Sequence, residues 1–178
     1  MSSNISKLKI AISGKSGCGN TTVSRIIAEV LGLRLINFTF RSLAQERGLD
    51  LAEVLKKAAL DDSWDREVDS RQVAMAREDS GCVLGSRLAI WMLPEANLKV
   101  FLTASPLVRA GRIQNREGGN LEKIAEFTAS RDKQDSERYM RIYNIDNNDF
   151  AFADLIIQTD KMNPTQIVDT VLRRVNEL

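Results

Sequence analysis

Residues 12–25, ISGKSGCGNTTVSR, constrain the fold more than any other part of the chain. They follow an apolar stretch, contain three closely spaced glycines, and lead into apolar residues at helical spacing. A strand, a glycine-rich turn and a helix in this order are typical of a phosphate-binding loop, whose backbone N–H groups and helix N-terminus attract an anion. The predicted phosphate loop spans residues 14–22, namely Gly14, Lys15, Ser16, Gly17, Cys18, Gly19, Asn20, Thr21 and Thr22.

The loop departs from the usual pattern G-x-x-x-x-G-K-[ST] at Asn20, which stands where the pattern has lysine. That lysine normally reaches the β- and γ-phosphates and offsets their charge, whereas asparagine can only donate a hydrogen bond. Lys15, the second residue of the loop, is a candidate replacement, and a solvated turn lysine is the alternative. Thr21 is placed to bring a hydroxyl to Mg²⁺, so we expect Mg²⁺ held at Thr21.

Strands alternate with helices along the rest of the chain. Apolar stretches at residues 7–13, 33–38, 81–85, 98–104 and 153–160 predict five strands. Helix starts are indicated by Asp50, by Ser105 with Pro106, and by Asn163 with Pro164. Residues 120–143 have helical spacing throughout, and the pattern leaves a break within them open. The alternation predicts an α/β fold with a mostly parallel sheet and right-handed crossovers.

Composition excludes several classes of protein. The chain of 178 residues contains no histidine, which rules out a serine triad, and its two cysteines are too far apart in sequence to suggest a zinc site or a disulfide framework. A net charge of +1 gives no overall attraction to nucleic acid or to a membrane surface. No apolar run approaches the roughly 20 residues that span a bilayer, and the N-terminus lacks the layout of a signal peptide. We therefore expect a reduced, cytoplasmic protein without nucleic-acid or membrane partners.

Several segments together resemble the cytidylate kinase family in its short archaeal-type form, from residue 10 to about residue 172. They are SGKSGCGNTTVSRIIAEVLGL, FRSLAQERGLDL, DREVDSRQ, VLGSRLAIWM, REGGNLEKI, SRDKQDSERYMRIYNID and ADLIIQTDKMNP. The resemblance implies a three-layer P-loop nucleoside monophosphate kinase fold in a single domain, residues 1–178, with a parallel five-stranded sheet. It further implies a helical monophosphate-binding insertion at about 37–80, a lid at about 112–135, and phosphorylation of CMP or dCMP to the diphosphate. The resemblance also implies ATP as the phosphate donor. We expect small-molecule nucleotide substrates and a monomer or weak homo-oligomer.

Arginines carry most of the site that the resemblance implies. By position, the acceptor nucleotide would be held by Arg41, Arg71, Arg87 and Arg141. The resemblance implies that Arg131 and Arg138 act as catalytic residues at the transferring phosphate, and Lys15 is the candidate replacement for the missing loop lysine. Guanidinium forks suit phosphate oxygens, and spacings of seven and three residues place Arg131, Arg138 and Arg141 on one helix face. For each of these arginines, and for Arg109 and Arg112, the alternative is an exposed side chain paired with Asp or Glu.

The sequence also departs from the family pattern in ways that leave other functions open. Gly85 stands where the family tends to have an acidic residue before the third-strand arginine. Asp61, Asp62, Asp65 and Asp69 are candidates for contacts to a cytosine amino group, although a solvated helix face is favoured for them, and a core position is favoured for Trp91. Asn20 and Gly85 together motivate a nucleotide-binding sensor or partner module with little catalysis. A kinase for another small acceptor is the third alternative.

Overall fold

The computed structural model describes residues 5–178 and contains a five-stranded sheet in the order β2-β3-β1-β4-β5. Every neighbouring pair is parallel. The strands are β1 (Lys9–Gly14), β2 (Arg34–Ile36), β3 (Cys82–Gly85), β4 (Leu98–Thr103) and β5 (Leu155–Gln158). The predicted α/β fold with a parallel five-stranded sheet is therefore confirmed.

Within residues 9–178, eight helices connect and flank these strands. They are α1 (Asn20–Leu31), α2 (Phe40–Arg47), α3 (Leu51–Ala58), α4 (Ser63–Glu78), α5 (Ala89–Met92), α6 (Pro106–Glu117), α7 (Leu121–Tyr143) and α8 (Pro164–Val175). The predicted caps are present: the side chains of Asp50, Ser105 and Asn163 each accept a backbone N–H at the start of a helix. The break left open within residues 120–143 does not occur, because α7 continues for 23 residues.

The sheet lies between two apolar layers, as alternation along its strands requires. One face packs against α1 and α8, through Ile10 and Ile12 of β1 meeting Val23 and Val171. The other face packs against α4 and α5 and includes Ala11, Leu84 and Phe101. Trp91 of α5 meets the Phe101 ring edge-on with centroids 5.8 Å apart, as its predicted core position requires.

Because all strands are parallel, their carboxyl ends meet at one edge of the sheet, where ligands of α/β proteins bind. Helices α2–α4 follow β2, and α6 follows β4 and contacts Thr159 just after β5 through Arg112. Helix α7 packs on α6 and reaches α4, where Arg138 meets Asp65 and Tyr143 meets Asp69. Among residues 5–178, no helix is long and apolar enough to cross a membrane. Cys18 and Cys82 are buried free thiols.

Candidate active site

The phosphate loop bridges the end of β1 and the start of α1. Gly17 and Gly19 have φ values of 84° and 97°, in the left-handed region that glycine adopts without strain. A Cβ on Gly17 would lie 2.8 Å from the Arg109 Cβ, so the loop packs directly on α6. Gly19 caps α1 without a side-chain hydrogen bond, which leaves the first-turn N–H groups of α1 to face an anion.

A cavity of about 910 Å³ opens along the carboxyl edge of the sheet, and all nine residues of the predicted phosphate loop line it. On the β2–β3 side its wall is formed by a set that we call the α4 wall: Phe38, Asp65, Val68, Asp69 and Gln72. On the β4–β5 side the lining includes Arg112, Arg116, Met162, Pro164 and Ile167. The loop therefore lies between two chemically different ends of one elongated cavity.

Asn20 is a structural residue at the base of the loop. Its Nδ2 donates to the carbonyl oxygens of Ile12 and Ser86 at 3.0 and 3.1 Å, and its Oδ1 accepts from the Ser24 hydroxyl at 2.8 Å. The side chain thus joins β1, α1 and the segment after β3. A Cβ on Gly85 would approach the Ser24 Oγ to 2.6 Å, so the missing carboxylate at position 85 and the missing lysine at position 20 belong to one packed arrangement.

Two arginines of α6 support the loop from below, a role that sequence reasoning missed. Arg109 is 5 % exposed; it donates to the Ser16 carbonyl oxygen at 3.1 Å and pairs with Asp132 through contacts of 2.5 and 3.2 Å. Arg112 donates to the carbonyl oxygens of Gly17 and Thr159 at 3.3 and 2.6 Å. The exposed alternative considered for Arg109 is wrong, because its guanidinium is buried. The sequence signal for this role was the spacing of three residues between Arg109 and Arg112 on one helix face. That spacing could not identify the group that Arg109 contacts, because Ser16 lies 93 residues away in the chain.

Arg87 and Arg131 face the loop from β3 and α7. Arg87 donates to the Ser16 hydroxyl at 2.8 Å and pairs with Asp135. Arg131 lines the same cavity, and within residues 5–178 it forms no ion pair with a carboxylate. Desolvation and the nearby Arg87 guanidinium lower the pKa of Arg131, which shows that like charges crowd here. An anion bound between them would relieve that repulsion.

Arg138 lies between two carboxylates on the cavity wall. Its Nη2 donates to Asp135 Oδ1 at 2.9 Å, and its Nε is 3.5 Å from Asp65 Oδ1. Its charge is therefore largely balanced within the protein, unlike that of Arg131. The favoured solvated position for Asp65 is wrong: this residue is 5 % exposed and lines the cavity.

Asp69 occupies the centre of the α4 wall. It accepts a hydrogen bond from the Tyr143 hydroxyl at 2.7 Å and a longer one from the Gln72 amide at 3.4 Å. Burial raises the pKa of Asp69 to about 6, against the opposing effect of the Tyr143 hydrogen bond. The solvated position favoured for Asp69 is likewise wrong, since it lines the cavity, whereas Asp61 lies outside it and is exposed.

The remaining predicted basic residues are directed elsewhere. Arg71 pairs with Glu46 at 2.6 Å and lies over the outer side of Phe38, and Arg141 pairs with Asp62 at 2.6 Å. Neither residue lines the cavity in residues 5–178, and neither does Arg41, which is exposed on the first turn of α2. Lys15 does line it, but its Nζ donates to Asn148 Oδ1 at 2.8 Å. The binding roles predicted for these four residues stay predictions.

The hydroxyl of Thr21 beside the loop suits a magnesium ion whose other ligands are phosphate oxygens and water. Thr21 is exposed on the first turn of α1 and lines the cavity. Within the described part of the chain, no group of three or more Cys, Asp or Glu could hold a metal by itself. Since Mg²⁺ is usually held by one or two protein oxygens together with substrate phosphates and water, the single hydroxyl of Thr21 fits this mode of binding.

Comparison with known proteins agrees with this geometry. Residues 9–161 match the model of the cytidylate kinase-like family. The chain is 42 % identical over 174 residues to a protein named cytidylate kinase 2 from Borreliella afzelii, covering 96 % of this chain and 97 % of that one. It is 41 % identical over 174 residues to a cytidylate kinase from Pyrococcus horikoshii, covering 97 % and 90 %.

Solved structures show the same fold at low sequence identity. A shikimate kinase from Bacteroides thetaiotaomicron superposes with a TM-score of 0.65 at 16 % identity, covering 96 % of this chain and 99 % of that one. A deoxyadenosine kinase from M. mycoides with bound dATP gives a TM-score of 0.59 at 14 % identity, covering 95 % and 100 %. Both likenesses concern the fold alone, and they identify it as that of the P-loop kinases.

Proposed function

Because the chain belongs to the cytidylate kinase-like family and is a nucleoside monophosphate kinase, we propose that it transfers the γ-phosphoryl group of ATP to CMP and dCMP. The products are ADP with CDP or dCDP. The family supports the kinase activity and ATP as the donor, and the relatives' name supports cytidine monophosphate as the acceptor.

The observation that carries the proposal is the unpaired charge of Arg131 beside Arg87, at the phosphate loop. A guanidinium that lines a cavity without a carboxylate partner, and whose pKa is lowered by desolvation and by a second guanidinium, favours a phosphate dianion. Arg87 is already oriented by Asp135 and by Ser16 of the loop. The two arginines thus support a position for the transferring phosphate between loop and α7.

We place the donor on the loop and toward α8, and the acceptor toward the α4 wall. The β4–β5 end of the cavity offers Arg112 and Arg116 on one side and the apolar Met162, Pro164 and Ile167 on the other, which suits a flat purine. The loop amides would hold the β- and γ-phosphates between these ends. The α4 wall then receives the acceptor nucleoside, with its phosphate directed to Arg87.

Positioning and charge neutralisation account for the chemistry. An oxygen of the CMP phosphate forms a bond to the γ-phosphorus as the bond from that phosphorus to the bridging oxygen breaks, and ADP leaves with the electron pair. Because the acceptor phosphate is already an anion, no proton has to be removed, which agrees with a chain that has no histidine. Arg131 and Arg87 would stabilise the charge on the equatorial oxygens. Arg138 and Lys15 remain predicted contributors, although each is paired within the protein.

Thr21 would hold Mg²⁺ through its hydroxyl, with substrate phosphate oxygens completing the ligands. When bound, the ion supplies neutralisation of the donor phosphates. Asn20 does not take the place of the missing lysine, because all three of its hydrogen bonds hold the base of the loop together. The charge that a loop lysine would supply is thus assigned to Arg131.

A coupled assay of ADP release tests the proposal against both alternatives from the sequence. The purified protein is supplied with ATP, Mg²⁺ and, in separate reactions, CMP, dCMP, UMP, AMP and small alcohols such as shikimate. We expect the highest kcat/KM with CMP and dCMP, and formation of CDP confirmed by chromatography. Binding of ATP and CMP without CDP formation would support the sensor function instead. A preference for an alcohol would support the third alternative.

A further inference from the structure

Ser16 is the residue through which the phosphate loop is joined to helix α7. Its hydroxyl accepts a hydrogen bond from Arg87 Nη2 at 2.8 Å, and its carbonyl oxygen accepts one from Arg109 Nη1 at 3.1 Å. Arg87 pairs in turn with Asp135 of α7. Arg109 pairs with Asp132, three residues earlier on the same helix. Two arginines from different parts of the chain thus connect one loop residue to one helix.

The contact with Arg109 fixes the direction of the peptide between Ser16 and Gly17. All peptide bonds within residues 5–178 are trans, and in a trans peptide the C=O and the following N–H point in opposite directions. Since the Ser16 carbonyl is directed to α6 below the loop, the Gly17 N–H is directed to the cavity, which Gly17 lines. Within residues 5–178 this N–H has no backbone hydrogen-bond partner, whereas the N–H of Cys18 donates to the Lys15 carbonyl oxygen at 3.1 Å.

The peptides on both sides of Gly17 are held by α6. The Gly17 carbonyl oxygen accepts a hydrogen bond from Arg112 Nη1 at 3.3 Å, as the Ser16 carbonyl does from Arg109. A side chain on Gly17 would also meet the backbone of Arg109, whose carbonyl oxygen would lie 2.8 Å from the added Cβ. The loop backbone is therefore oriented at Gly17 by two guanidinium groups and by direct packing on the helix.

Asp132 holds the Arg109 guanidinium in the plane that this arrangement requires. Its carboxylate oxygens lie 3.2 and 2.5 Å from Nη1 and Nη2 of Arg109, and the pair is largely buried. A bidentate contact of this kind fixes the orientation of the guanidinium as well as its position. A neutral amide at position 132 would keep one acceptor oxygen but would leave the buried charge of Arg109 without its counterion.

We propose that Asp132 is a positioning residue for phosphoryl transfer: through Arg109 it directs the Gly17 N–H toward a phosphate of the nucleotide donor, and it fixes the position of that N–H relative to Arg131. This inference rests on the proposed kinase function and names a residue that acts without touching the substrate. Asp132 follows Arg131 directly on α7, and adjacent residues of an α-helix point about 100° apart. In residues 5–178, Arg131 lines the large cavity and Asp132 does not. One turn of α7 therefore presents a guanidinium to the phosphates and holds the loop beside it.

The first experiment measures steady-state kinetics of variants at position 132. Because a misdirected hydrogen-bond donor weakens stabilisation of the transition state, Asp132→Asn should lower kcat by about 10- to 100-fold. The KM for CMP should change little, since Asp132 does not line the cavity. Asp132→Glu keeps the carboxylate, so its kcat should stay within about tenfold of the wild type and above that of Asp132→Asn. Glu137→Gln is the matched control, since it changes an exposed carboxylate of the same helix that pairs with Lys133.

The second experiment follows the loop amides by NMR, a readout that a loss of stability alone would not change. When Mg²⁺ and ADP are added to the ¹⁵N-labelled wild type, the Gly17 amide proton should move downfield as a phosphate oxygen accepts its hydrogen bond. The Cys18 amide, which donates to the Lys15 carbonyl, should move much less and serves as the internal control. In Asp132→Asn the Gly17 shift at saturating ADP should be clearly reduced, with circular dichroism showing that the variant is folded.

Either a wild-type Gly17 shift or a wild-type kcat in folded Asp132→Asn would overturn the proposal, and so would a loss of kcat in Asp132→Glu as large as that in Asp132→Asn. If the protein forms no CDP with any acceptor, the kinase proposal fails, and the dependence of the Gly17 shift on Asp132 still tests the positioning by itself. If Asp132→Asn is too unstable to purify, the wild-type spectrum and Asp132→Glu are used instead. A Gly17 resonance that ADP does not move would show that its N–H does not face the phosphates.

Discussion

The loop side and the α4 wall of the cavity differ in how completely their charged groups are paired. Below the loop, Arg109 and Asp132 form a bidentate pair that is largely buried, and Arg112 is held by Thr159. On the α4 wall, Asp65 and Gln72 each keep a buried oxygen without a hydrogen-bond partner in residues 5–178, and so does the Nε of Arg138 on the adjacent α7. Arg109 and Asp65 are both 5 % exposed, so the difference is not one of burial.

This difference corresponds to two ways of building a binding site. The loop receives phosphates, which are common to many nucleotides, and its internal pairs fix the backbone before any ligand arrives. On the other side of the cavity, Asp65 Oδ2 and Gln72 Oε1 are buried without a hydrogen-bond partner in the described part of the chain. The loop is thus held by pairs within the protein, whereas these two groups are left unpaired by it.

The largest expected effect comes from removing the one free charge at the loop. Arg131→Ala should lower kcat/KM for CMP by about a thousandfold or more, because this guanidinium has no other partner within residues 5–178. Lys15→Ala should cost less than about tenfold, since Lys15 is bound to Asn148. Steady-state kinetics measures both, with Arg77→Ala as a control outside the cavity. A larger loss at Lys15 than at Arg131 would mean that the charge is supplied by the loop itself.

Arg109→Met tests whether the loop side is held by its internal pairs. It leaves Asp132 largely buried without its partner, and the free energy of unfolding should fall by about 3 kcal/mol. Arg25→Met, which removes an exposed pair with Glu29, should cost less than about 0.5 kcal/mol. Urea unfolding followed by circular dichroism compares the two. Equal small losses would show that the loop is not stabilised by the Arg109 pair.

Asn20→Lys tests whether the loop would accept the usual residue. It removes hydrogen bonds to Ile12, Ser86 and Ser24, and should lower the free energy of unfolding by about 2 kcal/mol without raising kcat. Asn115→Lys, the same change on the exposed face of α6, should leave stability within about 0.5 kcal/mol of the wild type. A variant with lysine at position 20 that is both stable and faster would refute the structural role of Asn20.

A pH dependence of stability is expected from the α4 wall. The groups that face Asp69 are Tyr143, Asp65, Gln72 and Arg138. Burial raises its pKa from 3.8 to about 6, so between these values the folded protein binds the proton more tightly than the unfolded chain does. Stability should therefore fall as the pH rises through this window, by up to about 3 kcal/mol.

Asp69→Asn should remove this contribution, so that the difference in unfolding free energy between variant and wild type changes between pH 4 and pH 7. Asp149→Asn, an exposed carboxylate elsewhere, provides the comparison. Parallel profiles for the wild type and Asp69→Asn would contradict the raised pKa and show the α4 wall to be as well solvated as the surface.

Local features of the fold followed from the sequence. The five strands, the caps at Asp50, Ser105 and Asn163, and the glycine turn depend on neighbouring residues, and each was predicted correctly. Helix α5 was not predicted, since its four residues are too short for periodicity to show. The sequence pattern left a break within residues 120–143 open, whereas α7 is one continuous helix of 23 residues.

The candidate site could be predicted less completely than the fold, because the residues in contact there are far apart in sequence. The role of Asn20 depends on a carbonyl 66 residues away, and the burial of Asp65 depends on α7 lying over α4. Arg71 and Arg141 match a family pattern, and in this structure they pair with Glu46 and Asp62, so their predicted binding roles stay predictions. The sequence motif located the phosphate loop. Which of the arginines near it lacks a carboxylate partner depends on tertiary packing, which the motif does not show.

Helix α7 reaches both regions of the cavity without interruption. Asp132 meets the loop support on α6, while Tyr143, nearly three turns farther along, meets Asp69 of α4. Helix α7 thus connects the Arg109–Asp132 pair below the loop with Asp69 of the α4 wall. Because one continuous helix carries both contacts, a substitution that displaces α7 would change the support of the loop and the α4 wall together.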